Sequence, residues 1–171
     1  MSIESEFLSY SGAKLEQLVE RIEACVALLT PEQIWTRGGE QQNAIGNLML
    51  HLTGNLRQWI LTGIAAAPNN RNRDSEFAAR GGVDPAELTR GLRETVDRAV
   101  QVIRSLPSER LMEHATIQGH DITLLEAIYH VVEHFSGHTA QIILMTKAFT
   151  NRSLDFYSYL SQPGSGADRT P

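Results

Sequence analysis

Residues 129–141 read Tyr129-His130-Val131-Val132-Glu133-His134-Phe135-Ser136-Gly137-His138-Thr139-Ala140-Gln141, and hold three of the chain's six histidines, four residues apart each time. In a helix, each step of four residues advances about 400°, a net rotation of about 40°. His130, His134 and His138 then lie along one side of the helix in successive turns. Imidazoles one turn apart are the arrangement by which a single helix offers a transition metal two nitrogen ligands. The same ladder also suits an exposed helix face or an interface. The surrounding chain has to separate these readings.

Upstream, Thr123-Leu124-Leu125-Glu126 is a capping box, a threonine followed three residues later by a glutamate that can reach back to it. Leu125, Ile128, Val132, Phe135, Ile142, Ile143 and Met145 continue an apolar stripe to about Ala148. The histidine ladder therefore sits in a long helix. Ahead of the box, His114-Ala115-Thr116-Ile117 and Asp121-Ile122 flank Gln118-Gly119-His120 as a short hairpin or extended connector. Leu106-Pro107-Ser108 separates this segment from a helix that starts at Asp84-Pro85, a cap followed by proline, and runs to about Ser105.

Two more helices precede it. One spans about Glu4 to Leu29, with Leu15, Leu18, Val19, Ile22 and Val26 inward, and Thr30-Pro31 ends it and opens a short helical turn. The other runs from an N-cap at Asn43 to about Gly63, with Ile45, Leu48, Met49, Leu52, Leu56, Trp59 and Ile60 on one face. His51 lies inside that helix beside the apolar stripe, where both ring nitrogens need a hydrogen bond or a metal. Between Ile64 and Val83 periodicity lapses, and a connection this long is often functional. Its Arg71, Arg73 and Arg80 are candidates to meet an anionic substrate, against the plainer reading of a solvated loop.

Composition is that of an ordinary globular protein. The 171 residues suit one domain, with 42% hydrophobic and 20% charged residues. A net charge of −5 argues against a nucleic-acid surface. The single Cys25, in an apolar run, excludes an intramolecular disulfide and a cysteine-rich zinc site and reads as a buried, inert thiol. No signal peptide and no apolar run near the ~20 residues of a spanning helix are visible, so a cytoplasmic location with no membrane partner is expected.

Four helices about 30 Å long around one core most simply form an all-α four-helix bundle, with a long connection between the second and third. One domain is expected over residues 1–160, followed by a flexible tail over 161–171. In such a bundle His51 and two histidines of the last helix can converge. Three histidines with an open fourth position is the ligand count of a catalytic metal site. Zinc, nickel, iron, cobalt and manganese all accept imidazole. Spacing alone leaves His130 and His138 equal as partners of His134, and leaves a metal and a set of hydrogen-bonded core histidines as equal explanations.

The run Asn43-Ala-Ile-Gly-Asn-Leu-Met-Leu-His51-Leu-Thr-Gly-Asn-Leu-Arg-Gln-Trp59-Ile, together with the helix from Glu126 to Met145, resembles the DinB-like metal-binding four-helix bundles. That superfamily includes YfiT-like proteins, bacillithiol S-transferases and mycothiol-dependent maleylpyruvate isomerases. The wording around the histidine ladder is most similar to a branch known only as a domain of unknown function. The resemblance spans about Glu4 to Leu160 and implies the ligand set His51, His134 and His138. It leaves His130 outside that set, lining the pocket. Relatives often carry glycine where this chain has Ala140, which bears on the width of the crevice.

The resemblance further implies a divalent metal, zinc or nickel first, then iron, cobalt or manganese. It implies a small-molecule substrate such as a low-molecular-weight thiol, deprotonated on the metal for S-transfer or isomerisation, and a homodimer. No residue stands out as a general base, and Asn55 and Gln58, one and two turns after His51, are the candidates to face the pocket. The alternative is a non-catalytic metal-binding or stress-response protein whose open position is blocked by His130 or Glu133.

Overall fold

The computed structural model describes residues 2–157. Among these residues are six α-helices: α1 (Ile3–Val26), α2 (Pro31–Trp35), α3 (Ile45–Leu56), α4 (Arg73–Ala78), α5 (Pro85–Ser105) and α6 (Leu124–Thr150). The last turns of the second long helix, Arg57–Thr62, widen into a π-helical segment, and a 3₁₀ turn (Ser108–Met112) leads to a hairpin, β1 (His114–Ile117) and β2 (His120–Thr123). Among the described residues, no helix is long and apolar enough to cross a membrane.

Local chemistry explains most boundaries. Thr30 caps α2 with proline at its first turn, and Asp84 caps α5 ahead of Pro85. The Thr123–Glu126 capping box opens α6, with the threonine N–H donating to the Glu126 carboxylate over 2.8 Å. Gln118 (φ 53°) and Gly119 (φ 82°) make the two-residue hairpin turn, whose positive φ values glycine adopts without strain. The cap of α3 differs from the expectation: Ala44, not Asn43, is the N-cap. Asn47 in the first turn reaches back instead, its Oδ1 accepting the Ala44 N–H over 3.1 Å.

The four long helices, α1, α3, α5 and α6, form the bundle, with α1 and α3 each packed against both α5 and α6. Ion pairs and ring contacts give their directions. Glu16 meets Arg104 and Glu23 meets Arg93, so α1 and α5 are antiparallel. His51 meets His138 and Trp59 meets His130, so α3 and α6 are antiparallel. Tyr10 and Tyr129 share one groove and Cys25 meets Thr146 further along, so α1 and α6 are parallel. It follows that α3 and α5 are parallel neighbours, and the chain between them must travel back along the bundle.

That crossover occupies residues 63–84, and its climb is marked by successive contacts with α3. Arg71 meets Gln58 near the lower end, Glu76 meets His51 in the middle, and the carbonyls of Glu76 and Ala79 meet Asn47 at the top. The core between the helices is apolar, with Leu15, Ile22, Met49, Leu52, Leu92, Ile103 and Phe135 all buried. Cys25 is fully buried, which pushes its thiol pKa up, as expected of an inert cysteine. After α6, Leu154 and Phe156 pack on the core and the Arg21 guanidinium lies 5.6 Å from the Phe156 ring. Tyr159, Leu160 and the tail expected over 161–171 lie outside the described residues.

Candidate metal centre

The long helices α3 and α6 bring His51, His134 and His138 together, one nitrogen from each lying within 4.8 Å of the others. The rings meet edge to face. His51 and His134 centroids are 5.0 Å apart at 69°, His51 and His138 5.2 Å at 89°, and His134 and His138 4.5 Å at 87°. The Nε2 atoms of His51 and His134 stand 2.9 Å apart. Two nitrogens on a tetrahedral ion, each about 2.1 Å from it, are about 3.4 Å apart. Small side-chain rotations cover that difference, so the donor set fits a divalent ion.

The ring faces away from the centre are also accounted for. His51 Nδ1 lies 2.9 Å from Glu76 Oε2, and the Arg71 guanidinium holds the same carboxylate through Nε (2.7 Å) and Nη2 (2.8 Å). Arg71 Nη2 is also 3.1 Å from His51 Nδ1. One nitrogen cannot both donate to the carboxylate and accept from the guanidinium. The shorter, charge-assisted contact decides that Nδ1 carries the proton and donates to Glu76. The lone pair of His51 is therefore on Nε2, facing the other two histidines, which is the carboxylate–histidine arrangement of metal sites. His138 Nδ1 similarly faces Gln141 Oε1 at 2.9 Å, leaving Nε2 for the centre.

Burial disfavours protonation of His134 and His138. His134 is pulled from 6.5 down to about 3 by desolvation, reinforced by His138, His51, His130 and Arg71. His138 is lowered by burial first and then by His51, against an opposing bond from Gln141. Burial by itself would raise the Glu76 carboxyl, but its bonds to Arg71 and His51 outweigh that and hold it below the usual range. A consequence can be checked on metal-free protein. The folded-state pKa of His134 lies below its unfolded value, so the unfolded chain binds more protons as pH drops below about 6.5. This contribution is flat above that pH and destabilises progressively down to about 3. Denaturant midpoints should fall between pH 7.5 and 5, and fall less in H134Q; equal slopes would contradict the burial argument.

His130 stays outside the trio. Its ring lies 4.2 Å from Trp59, inside the π-helical segment, and 5.4 Å from His134. Glu133 is exposed. Neither is a member of the cluster, so neither is the fourth-position blocker considered from sequence. Asn55 is buried and its Oδ1 has no partner among the described residues, as is true of Trp59 Nε1 in the π-helical segment, giving an acceptor and a donor one and two turns beyond His51. Gln58 points elsewhere: its Oε1 accepts from Arg71 Nη1 over 2.8 Å and from Gln118 at the hairpin tip. Ala140 is exposed, so the departure from glycine there has no effect on crevice width.

The crossover arginines differ from the sequence expectation of meeting a substrate. Arg71 is tied to Glu76, Arg73 lies 4.8 Å from the Phe77 ring, and Arg80 Nη1 donates to the carbonyls of Phe77, Ala78 and Ala79. They build the segment. Glu76 itself, and the short helix α4 that carries it, were not legible in sequence. The six-residue helix is too short for periodicity, and the single clue was the length of the connection. Arg37 Nη2 and Asn47 Nδ2 secure it by donating to its backbone carbonyls.

Gly54 shows how tightly the crossover is seated. A Cβ there would stand 2.0 Å from Glu76 Oε1 and 2.8 Å from Arg71 Nε. On helix propensity alone Gly54→Ala should stabilise by about 1 kcal/mol. Here it should destabilise, by about 1–3 kcal/mol, because the Arg71–Glu76 pair must move off α3. Urea unfolding of the variant checks the sign.

Residues 2–163 match the profile of a family described as "Protein of unknown function (DUF1572)". The fold is similar to a crystal structure of a DinB-like protein from Bacillus cereus ATCC 10987, with TM-score 0.66, 14% identity, and coverage of 84% of this chain and 90% of that one. It is also similar to a DinB-like protein from Bacillus subtilis, with TM-score 0.58, 18% identity, and coverage of 92% and 98%. No curated protein matches the sequence.

Proposed function

We propose, for a chain that belongs to the DUF1572 family and has the fold of DinB-like proteins, that His51, His134 and His138 hold one divalent transition metal with an open coordination position. The observation carrying this reading is the orientation of the rings. Glu76 and Gln141 take the Nδ1 atoms of His51 and His138, which leaves their Nε2 atoms available as ligands, and one nitrogen from each of the three rings lies within 4.8 Å of the others. A bound divalent ion would supply Lewis acidity, lowering the pKa of a water or thiol in the open position. The chain's own groups do the rest. Glu76 fixes the His51 tautomer, burial keeps His134 neutral at physiological pH, and Asn55 Oδ1 and Trp59 Nε1 offer hydrogen bonds to a bound molecule.

The reaction class proposed is thiol-dependent S-transfer or isomerisation on a small-molecule substrate, with zinc or nickel as the first candidates for the ion. The resemblance of the His51 and His134–His138 segments to thiol-dependent bundles supports it, as does the chemistry of an open three-histidine site, at which a divalent ion held by His51, His134 and His138 would acidify a thiol. The experiment is elemental analysis of purified protein followed by visible spectroscopy of a cobalt-loaded sample titrated with small thiols. One metal per chain and a thiol-dependent shift of the cobalt bands are expected. Metal-free protein of unchanged fold overturns the metal centre. Full cobalt loading with no response to any thiol overturns the thiol chemistry alone.

A further inference from the structure

A cavity of about 460 Å³ lies on the outer side of α3, between its lower turns, the crossover and α5. None of the three clustered histidines lines it. Its lining includes Arg57, at the start of the π-helical segment, and Arg98, from α5; both are exposed, and neither has an ion-pair or hydrogen-bond partner among the described residues. Arg71 lines it as well, with Glu76, and Glu76 is the single carboxylate of the lining, already neutralised by Arg71. Asn69 and Asn70 at its rim add amide donors and acceptors.

We propose that this cavity binds a small organic anion through Arg57 and Arg98, its charged group a carboxylate or a phosphate. The volume is that of small-molecule sites. Arginine forks match both groups bidentately. Two uncompensated guanidiniums in one concavity make a local positive field on a chain whose net charge is −5. The arginines come from two helices that the parallel α3–α5 packing holds side by side, so the pair belongs to the rigid bundle. The crossover supplies the amides. The site needs no metal, so it stands or falls apart from the histidine centre.

The test uses the full chain without added metal. Isothermal titration calorimetry is run with inorganic phosphate and with succinate, each against sodium chloride of matched ionic strength, on the native protein and on R57Q/R98Q. Both side chains are exposed, so the double variant should fold, and its thermal midpoint in chloride serves as the check, with R98Q alone as the second variant. Saturable binding of at least one anion is expected, weakened by about tenfold or more in the double variant and by less in R98Q. The tighter anion identifies the charged group. Binding of neither anion above the chloride control overturns the proposal, and so does binding that the double variant retains.

Discussion

Replacing Glu76 by alanine is expected to destabilise the protein by about 3–5 kcal/mol, because it leaves the Arg71 guanidinium buried without its carboxylate. The side chains of Arg71 and Glu76 are only 5% and 9% exposed, so water takes over few of the lost contacts. Arg71 would keep its bond to Gln58 Oε1 and its contact with His51 Nδ1, neither of which neutralises its charge. Glu76→Gln should cost less, since an amide oxygen still accepts from Arg71. The double change R71M/E76L should recover much of the loss, and a double-mutant cycle on urea midpoints measures the coupling. Additive single effects would show that the pair carries no structural weight. The same substitution releases His51 Nδ1, so metal affinity should fall by about 10–100-fold even in molecules that remain folded.

Replacing His134 by alanine should abolish metal loading, taking stoichiometry from about one per chain to near zero, with His51→Ala and His138→Ala behaving alike. His134 is the ring that joins the two helices, its Nε2 being 2.9 Å from that of His51 on α3. The discriminating control is His130→Ala. That ring lies tilted against Trp59 outside the trio, so its loss should leave stoichiometry unchanged. Elemental analysis of the four variants decides the matter. Equal losses in H130A and H134A would mean that the spacing of the ladder, and not the geometry of three convergent nitrogens, had been read as a ligand set.

How far these features could be read from sequence depends on the range of the interactions behind them. The long helices were legible because their causes are local: the Thr123–Glu126 capping box, the Asp84-Pro85 start, and the apolar stripes from Ile45 to Ile60 and from Leu125 to Met145. The choice of His138 over His130 was not available from spacing, since both lie one turn from His134. It came from the resemblance, and the structure brings His138, not His130, to within reach of His51. Direction was hidden too. The sequence shows a long connection but not which way it runs, and only packing shows α3 and α5 to be parallel. Glu76 was out of reach for the same reason. It sits 25 residues beyond His51 in a segment with no period, held by Arg37 and Asn47 through backbone carbonyls that leave no mark on the pattern of side chains.

The crossover has a thermodynamic consequence. Because the carboxylate that orients His51 is carried on a segment tied down by a handful of polar contacts, opening of residues 63–84 also breaks the bond that orients the His51 imidazole. A ligand held by that imidazole must then slow amide exchange across the crossover, by linkage, as surely as it protects the bundle core. The retention time of an ion would be governed by the breathing of a loop more than ten residues away in sequence from the nearest donor, and substitutions at Arg37 or Asn47, which bond the carbonyls of that loop, would shorten it.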